Sequence, residues 1–242
     1  MKVLLTRPQG RNQLMEEALS ARGVSYLSTP LLQVAPAANL DTDQVKNSLA
    51  QADIIIFIST NAVKFASAAI VEQWPTSARY FAVGEATHLA LQALGITSEK
   101  APDDCQQTEG LLSLTSLQQV QAKQIVIVRG VGGREDLANE LTRRQAKLTY
   151  WEVYQRTCPA LDNQNVCQQW RTFGIDTIII TSGEILDNLI KTVPNELFAW
   201  LQTCHIIVPS SREYEKACAY GLLTVTNAKA ANTNAMLKAL SF

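Results

Sequence analysis

Short apolar runs recur along the chain, and each is followed by a polar turn and a segment with helical periodicity. The runs are nearly continuous in hydrophobic residues rather than alternating, which is typical of strands buried on both faces of a parallel sheet. The pattern therefore predicts an α/β fold in which helices cover both faces of doubly wound parallel sheets. The predicted strands are residues 3–6, 24–27, 54–58, 81–83, 125–128, 178–181, 206–208 and 223–225.

Two segments, residues 29–42 and 148–159, interrupt this rhythm. The first holds prolines at positions 30 and 36, and the second is rich in aromatic and β-branched residues. We interpret both as linker strands rather than as βα units. If they were successive domain boundaries, the last piece of chain would hold only three strands, which is few for a doubly wound sheet.

Joining the two ends of the chain solves this problem, because together they supply five strands. We therefore predict two similar doubly wound lobes joined by a two-strand hinge, with a discontinuous first lobe. The first, flavodoxin-like lobe takes residues 1–35 and 159–242, and the second lobe takes residues 36–158. A chain of 242 residues is long enough for two such cores.

Composition and charge exclude several classes of protein. Hydrophobic residues make up 47% and charged residues 18%, so the chain is not disordered. Lys plus Arg (21) balance Asp plus Glu (22), which disfavours a nucleic-acid binder, and no apolar run has the length of a membrane span. Five cysteines without a C-x-x-C motif fit a reducing cytoplasm, and two histidines give little support for a zinc site.

Polar residues follow the predicted strands at their carboxyl ends, where ligands of open α/β sheets bind. Helix N-termini in such turns bind anions through backbone N–H groups, so the turns together suit a ligand with many carboxylates or phosphates. Each residue taken alone is equally typical of a helix cap or turn. The candidate residues are Arg7, Ser59, Thr60, Asn61, Gly84, Thr87, Arg129, Gly130, Ser182, Gly183, Ser210 and Ser211.

Two further features leave alternatives open. The stretch at 129–134 (RGVGGR) looks like a phosphate loop but matches neither G-x-G-x-x-G nor the Walker A motif, so a nucleotide-dependent enzyme has weak support. Tyr154 lies in the second linker, where alternation predicts that it shares a face with Tyr150 and Glu152, opposite Trp151 and Val153. Its side chain either faces a ligand or packs the hinge.

The order and spacing of several motifs identify a resemblance that covers the whole chain. The motifs are VLLTRPQGRNQ, PLLQVAP, FISTNAVKFA, FAVGEATHLAL, IVIVRGVGGREDLANELTRRQAKLTYWEVYQR, IIITSGEILDNL and IIVPSSREYEKACAYG. With them the chain resembles the uroporphyrinogen-III synthases. The resemblance implies a monomeric, cytoplasmic lyase of porphyrin and haem biosynthesis that uses no cofactor and no metal. It also implies no nucleic-acid or membrane partner, with a transient contact to the preceding pathway enzyme as an option.

The implied reaction acts on hydroxymethylbilane, a linear tetrapyrrole, and closes it to uroporphyrinogen III with loss of water and inversion of the terminal ring. By motif, Tyr154 matches the family tyrosine proposed to help the hydroxyl leave, and Thr87 and Ser211 match family hydroxyls that line the cleft. Arg7, Ser59, Asn61, Arg129 and Ser182 lie on turns expected to face the substrate.

This chain departs from the family pattern at two turns. It has Ser59-Thr60-Asn61 where the family often has Ser-Pro-Asn, and Val208-Pro209-Ser210-Ser211 where it often has Gly-Pro-Thr-Thr. The loss of that glycine narrows backbone access at Ser210 and Ser211. The competing hypothesis is a bilobed binding or sensor protein that closes on a polyanionic metabolite without catalysis, since its fold and turns would be the same.

Overall fold

The computed structural model describes residues 1–38, 42–70 and 74–240. Residues 39–41 of the first predicted linker lie outside this range. The strands are β1 (Lys2–Leu5), β2 (Ser25–Ser28), β3 (Gln33–Pro36), β4 (Ile54–Phe57), β5 (Arg79–Ala82), β6 (Ser98–Lys100), β7 (Gln124–Gly130), β8 (Lys147–Thr157), β9 (Thr177–Ile179), β10 (His205–Val208) and β11 (Thr224–Asn227).

Helices connect most of these strands. The α-helices are α1 (Gln13–Ser20), α2 (Thr42–Ala50), α3 (Thr60–Ala69), α4 (Glu85–Gln92), α5 (Thr108–Ser113), α6 (Asp136–Arg143), α7 (Asn163–Phe173), α8 (Gly183–Thr192), α9 (Phe198–Thr203), α10 (Ser211–Ala219) and α11 (Thr233–Ala239). Single 3₁₀ turns cover Thr115–Leu117 and Asn195–Leu197.

The chain divides into two compact units, which confirms the predicted α/β fold with two parallel-sheet lobes. Unit 1 consists of Met1–Gln33 and Thr157–Phe242, and unit 2 consists of Val34–Arg156. The lobe boundaries expected from the sequence, after residue 35 and before residue 159, stay a prediction.

Unit 1 contains a five-stranded sheet in the order β11-β10-β9-β1-β2, and its neighbouring strands are parallel. Renumbered within the unit, this is the flavodoxin-like order 5-4-3-1-2. Two apolar clusters cover the sheet, one around Trp170, Ile178 and Ile206 and the other around Val3, Leu5 and Met236. Burial on both sides explains why these strands are continuous apolar runs.

Unit 2 contains a six-stranded sheet in the order β3-β8-β7-β4-β5-β6. Strand β4 shows how its core is built, because alternate side chains of IIIF point to opposite faces and all four are buried. Ile55 and Phe57 join the cluster under α3, whereas Ile54 and Ile56 join the cluster that includes Leu137 and Leu141 of α6.

The boundary between the two units falls within the second predicted linker, after Arg156, but the interpretation that this segment is not part of a βα unit is wrong, because β8 is a regular member of the six-stranded sheet. Its residues Lys147 to Glu152 pair in parallel with Gln124 to Arg129 of β7, and α6 connects the two strands. β7, α6 and β8 therefore form a βαβ unit. The sequence pattern also missed β6, whose residues Ser98, Glu99 and Lys100 are polar because the strand lies at the sheet edge.

Candidate functional site

Sheet topology selects the turns at which each unit can bind a ligand. In unit 2 the chain leaves β4 towards β5 on one side and leaves β7 towards β8 on the other, so the turns after β4 and β7 border the topological switch point. These turns carry Ser59 and Arg129. In unit 1 the switch point lies between β1 and β9, and the turns that follow them carry Arg7 and Ser182.

A β-bulge in β8 determines where Tyr154 points. Arg129 pairs with Glu152, but the next residue of β7, Gly130, pairs with Tyr154, so Val153 is the extra residue on β8. The bulge interrupts the alternation of side chains. Tyr154 packs with the cluster under α3 that also contains Val153, whereas Glu152 lies beside Arg129 on the other face. The predicted common face for Tyr150, Glu152 and Tyr154 is therefore wrong.

The phenol of Tyr154 is held at the N-terminus of α3. Ser59 is the N-cap of this helix, and its Oγ accepts a hydrogen bond from the backbone N–H of Ala62 at 3.0 Å. The same Oγ lies 3.1 Å from the Oη of Tyr154. Since the Ser59 oxygen already accepts one bond, its single proton is available for the phenol oxygen.

Packing fixes the ring of Tyr154 on two sides. Its centroid lies 5.9 Å from that of Phe65 on α3. On the other side, a Cβ added at Gly130 would stand 2.5 Å from Cε2 of the tyrosine. Only glycine fits at position 130 without displacing the Tyr154 ring, and the role of Gly130 in binding stays a prediction.

Arg129 is 2% exposed and is surrounded by groups from its own unit. Its guanidinium donates to Oε1 of Glu135 at 2.9 Å and to the carbonyls of Gly130 and Gly132, and its Nε lies 3.8 Å from Oε1 of Glu152. The guanidinium carbon also lies 4.6 Å from the centroid of the Tyr150 ring. These contacts order the 129–135 loop. They also compensate the charge of Arg129, which the sequence predicts to bind the substrate.

The pKa values around Arg129 reflect the same network. Hydrogen bonds from Tyr150 and Arg129 hold the pKa of Glu135 below its ordinary value. Burial and the hydrogen bond to this carboxylate raise the pKa of Tyr150. The sequence analysis did not predict this network. The only signal for it in the sequence was Glu135, six residues after Arg129.

The other predicted residues of unit 2 lie on α3 and α4. Thr60 and Asn61 form the first turn of α3, with Thr60 exposed and Asn61 half-buried. Gly84 is the N-cap of α4, and Thr87 is buried in its first turn. Gln106 closes this helix N-terminus, because its Oε1 accepts the N–H of Glu85 at 2.9 Å.

Arg7 is the predicted cation of unit 1. It is half-buried, and its guanidinium donates to the carbonyls of Arg11 and Ala231. No carboxylate of the described residues pairs with it. Burial lowers the pKa of Arg7, which is the effect of desolvating a charge.

Serines cap two helices of unit 1, but their hydroxyl protons are placed differently. Ser182 caps α8, directly before Gly183, and accepts the N–H of Ile185 at 3.3 Å. Ser210 caps α10 and donates its proton to the carboxylate of Glu213. Ser211 accepts the amide of Asn227 at 3.2 Å, so its proton remains available to an anion.

The carboxylate of Glu213 was not predicted as part of this turn, although the spacing Ser210-x-x-Glu213 is that of a capping box. Glu213 is 3% exposed. Burial alone would raise its pKa, but hydrogen bonds from Ser210 and Arg212 outweigh that effect and lower it. The carboxylate therefore stays charged and continues to accept the hydrogen bond from the Ser210 hydroxyl.

The described residues contain no group of three or more His, Cys, Asp or Glu side chains able to hold a metal ion. The two histidines each bond a hydroxyl, His88 that of Ser98 and His205 that of Thr226, both at 2.8 Å. No helix within residues 1–38, 42–70 and 74–240 is long and apolar enough to cross a membrane. The strand-end turns thus offer hydroxyls, helix N-termini and one phenol.

Matches to known proteins cover nearly the whole chain. Residues 13–238 match the family model described as uroporphyrinogen-III synthase HemD. The chain is 34% identical to the uroporphyrinogen-III synthase of Salmonella typhimurium, over 99% of this chain and 100% of that protein. It is 32% identical to the uroporphyrinogen-III synthase of Escherichia coli with the same coverage.

Solved structures support the fold. The uroporphyrinogen-III synthetase of Helicobacter pylori superposes with a TM-score of 0.58 at 15% identity, covering 99% of this chain and 98% of that one. A mutant uroporphyrinogen III synthase of Thermus thermophilus superposes with a TM-score of 0.54 at 14% identity, covering 100% and 97%. At such identities the likeness concerns the fold alone.

Proposed function

The chain belongs to the uroporphyrinogen-III synthase family, and from this we propose that it closes hydroxymethylbilane to uroporphyrinogen III in haem biosynthesis. The enzyme is a cyclising lyase: the terminal C–O bond breaks, water leaves, and the macrocycle closes with the last ring inverted. The protein must fold the linear chain so that its ends meet, and it must help the hydroxyl leave.

The observation that supports the mechanism most directly is the 3.1 Å contact between the hydroxyls of Tyr154 and Ser59. A phenol is protonated at neutral pH and can act as an acid. The Ala62 N–H occupies one acceptor site of the Ser59 oxygen, and we propose that the Ser59 hydroxyl donates its proton to the Tyr154 oxygen. The Tyr154 proton is then free to go to the departing hydroxyl, which leaves as water.

The N-terminus of α3 favours this proton transfer. The phenolate that Tyr154 becomes lies against the N-cap, where backbone N–H groups and the helix dipole stabilise negative charge. Ring closure later releases a proton from a pyrrole carbon, which restores the phenol. Tyr154 therefore acts first as acid and then as base, and the net reaction loses one water.

The remaining strand-end residues are assigned to the carboxylates of the substrate. We propose that Ser182, Gly183 and Ser211 of unit 1, and Thr60, Asn61 and Thr87 of unit 2, bind them through hydroxyls, amides and helix N-termini. Ser210 and Arg129 have internal partners, which makes their role one of shaping the turns.

We further propose that the protein works as a monomer in the cytoplasm and takes its substrate in a transient contact with the preceding enzyme. The five cysteines are free thiols, which suits a reducing compartment. A single mass near 26.6 kDa in size-exclusion chromatography with light scattering is expected. A stable dimer would contradict the monomer.

Replacing the phenol tests the catalytic assignment. We expect Tyr154→Phe to keep the fold and to form the inverted isomer about 10²–10⁴ times more slowly, or somewhat less than that, because general acid help of this size is lost. The rate of inverted-isomer formation and the melting temperature are measured together. Near wild-type turnover at unchanged stability would leave Tyr154 as a packing residue.

Ser59→Ala distinguishes a role of Ser59 in orienting the Tyr154 phenol from simple capping of α3. We expect a smaller rate loss and a stability loss of about 1 kcal/mol, the usual value of an N-cap. Asp162→Ala is the matched control, because Asp162 caps α7 in the same way by accepting the N–H of Asn165 at 3.2 Å, and no tyrosine is among its hydrogen-bond partners in the described part of the chain. Equal rates in both variants would remove Ser59 from the mechanism.

The binding-only alternative makes a different prediction about the product. Bilane closes spontaneously without inversion, so a protein that only binds it yields the non-inverted isomer. Isomer analysis after incubation with freshly prepared bilane distinguishes the two, and only the inverted product supports an enzyme.

A further inference from the structure

Two neighbouring helices of unit 1 begin at turns that the proposed function assigns to substrate carboxylates. Helix α8 follows β9 and begins at Gly183, and α10 follows β10 and begins at Ser211. Strands β9 and β10 pair in parallel, and both helices bury side chains in the cluster around Trp170, so they cover the same face of the sheet. The two helices contact each other, and their N-termini point to the same edge of the sheet.

A buried carboxylate stands where these two N-termini meet. Glu213 of α10 accepts the hydroxyl of Ser210 with one oxygen and Nε of Arg212, at 2.9 Å, with the other. The second oxygen also lies against the first residue of α8, since a Cβ added at Gly183 would stand 3.3 Å from it. The absence of a side chain at Gly183 therefore lets the two helix ends approach closely.

An ion pair joins the same two helices one turn further along. Nζ of Lys216 on α10 lies 2.6 Å from Oδ2 of Asp187 on α8, and it also lies 3.4 Å from the carbonyl oxygen of Gly183. The hydroxyl of Tyr220 donates to the other oxygen of Asp187 at 2.6 Å. Burial alone would raise the pKa of Asp187, but the hydrogen bonds from Lys216 and Tyr220 outweigh that effect and lower it.

These contacts form a continuous polar row between the helices, which we call the α8–α10 seam. Residues 183 and 187 are four apart, and residues 213, 216 and 220 are three and four apart, so each set lies along one face of its helix. Apolar packing holds both helices on the sheet, but it is not directional. Hydrogen bonds are directional, so the seam is what fixes one helix against the other along their axes.

We propose that Asp187 and Lys216 are positioning residues that fix the spacing of the N-termini of α8 and α10. The inference rests on the proposed function, which assigns substrate carboxylates to Ser182 at one of these N-termini and to Ser211 at the other. Carboxylates joined by one molecular framework reach both turns together only if the turns keep their separation. Asp187 and Lys216 act through the helices and need not contact the substrate.

Removing the ammonium group while keeping the aliphatic stem tests this role. We expect Lys216→Met to raise KM for hydroxymethylbilane about 2- to 10-fold, the equivalent of one hydrogen bond, and to leave kcat within about twofold. KM rises because binding weakens equally in the ground state and in the transition state. The rate constant kcat stays because the Tyr154 phenol is unchanged.

The matched control is Lys123→Met in unit 2. Nζ of Lys123 lies 2.9 Å from Oδ1 of Asp53, which directly precedes β4 and so lies at the opposite end of the sheet from the strand-end turns. An equal rise of KM in both variants, or no rise in Lys216→Met, would overturn the proposal.

A double variant tests whether the two residues act together. Asp187→Asn/Lys216→Met should raise KM no further than Lys216→Met alone, because either change removes the same ion pair. Effects on KM that multiply in the double variant would refute the joint role.

Hydrogen exchange tests the positioning without substrate. The amides of Leu186 and Tyr214 close the first turns of α8 and α10 by donating to the carbonyls of Ser182 and Ser210. We expect both amides to exchange faster in Lys216→Met and neither to do so in Lys123→Met. Unchanged exchange at both amides would overturn the positioning role. Faster exchange in a protein that forms no inverted isomer would refute the proposed function and would still support the fixed spacing of α8 and α10.

Discussion

Serines at equivalent places in these turns differ in what their one proton can do. Ser210 donates a hydrogen bond to Glu213. Ser211 accepts a hydrogen bond from Asn227, and its own proton remains available for a ligand. Ser59 and Ser182 each accept a helix N–H; the Ser59 proton is assigned to the Tyr154 oxygen, and the Ser182 proton is available to a ligand. Residue type alone cannot separate these cases, because a hydroxyl both donates and accepts and only its neighbours determine which.

We expect Ser211→Ala to raise KM for the bilane about fivefold with little change in melting temperature, since one neutral hydrogen bond of roughly 1 kcal/mol is lost. Ser210→Ala should leave KM nearly unchanged and lower the melting temperature. It removes a hydrogen-bond donor from the buried carboxylate of Glu213, which should cost about 1–3 kcal/mol of stability. Steady-state kinetics and thermal unfolding of both variants check this. A larger KM effect at Ser210 would contradict the proton assignment.

At the scale of elements, the bulge in β8 had the largest effect on the candidate site. Period-2 alternation predicts the faces of a regular strand, and it places Trp151 and Val153 correctly in the core. One extra residue shifts everything after it, and the sequence contains no signal for the bulge except the glycine at 130 that accommodates it.

Gly130→Ala should therefore act on the Tyr154 ring. The new methyl group requires the ring to move, so we expect a loss of activity approaching that of Tyr154→Phe and a destabilisation of about 1–3 kcal/mol from overpacking. Turnover and melting temperature are the measurements. Full activity in this variant would mean that the ring position has no bearing on the reaction.

Helix α6 should make the stability of unit 2 sensitive to acid. Hydrogen bonds from Arg143 and Arg144 lower the pKa of Glu140 to about 2 from 4.5. A folded-state pKa below the unfolded value contributes stability above pH 4.5, and this contribution is lost as the pH falls towards 2. Glu140→Gln should reduce the difference in the free energy of unfolding between pH 6 and pH 3, measured by denaturant unfolding. A pH profile identical to that of the unmodified protein would exclude the Glu140 contribution.

At the scale of the whole molecule, the α/β class and the strands with continuous apolar runs were predictable from the sequence. Burial on both faces produces that pattern directly. The edge strand β6 was not predictable, because a strand at a sheet edge is polar and lacks the continuous apolar run of the buried strands.

Because unit 2 is one continuous piece with its own two clusters, we expect the fragment 34–156 to fold alone. It should show helical and strand signals in circular dichroism and a cooperative thermal transition. The fragment 157–242 lacks β1, the strand that pairs with β9, and should remain unfolded as the comparison. An unfolded fragment 34–156 would show that the unit depends on the rest of the chain.

The position of β1 inside the sheet of unit 1 has a consequence for synthesis on the ribosome. Val3 pairs with Thr177, so at 5–20 residues per second the nascent chain waits about 10–35 s before this partner strand is made. The apolar strand β1 stays without that partner throughout this time, while all of unit 2 is synthesised and can fold. Chaperones therefore have a defined segment to protect, and the unit that begins first is the one that finishes last.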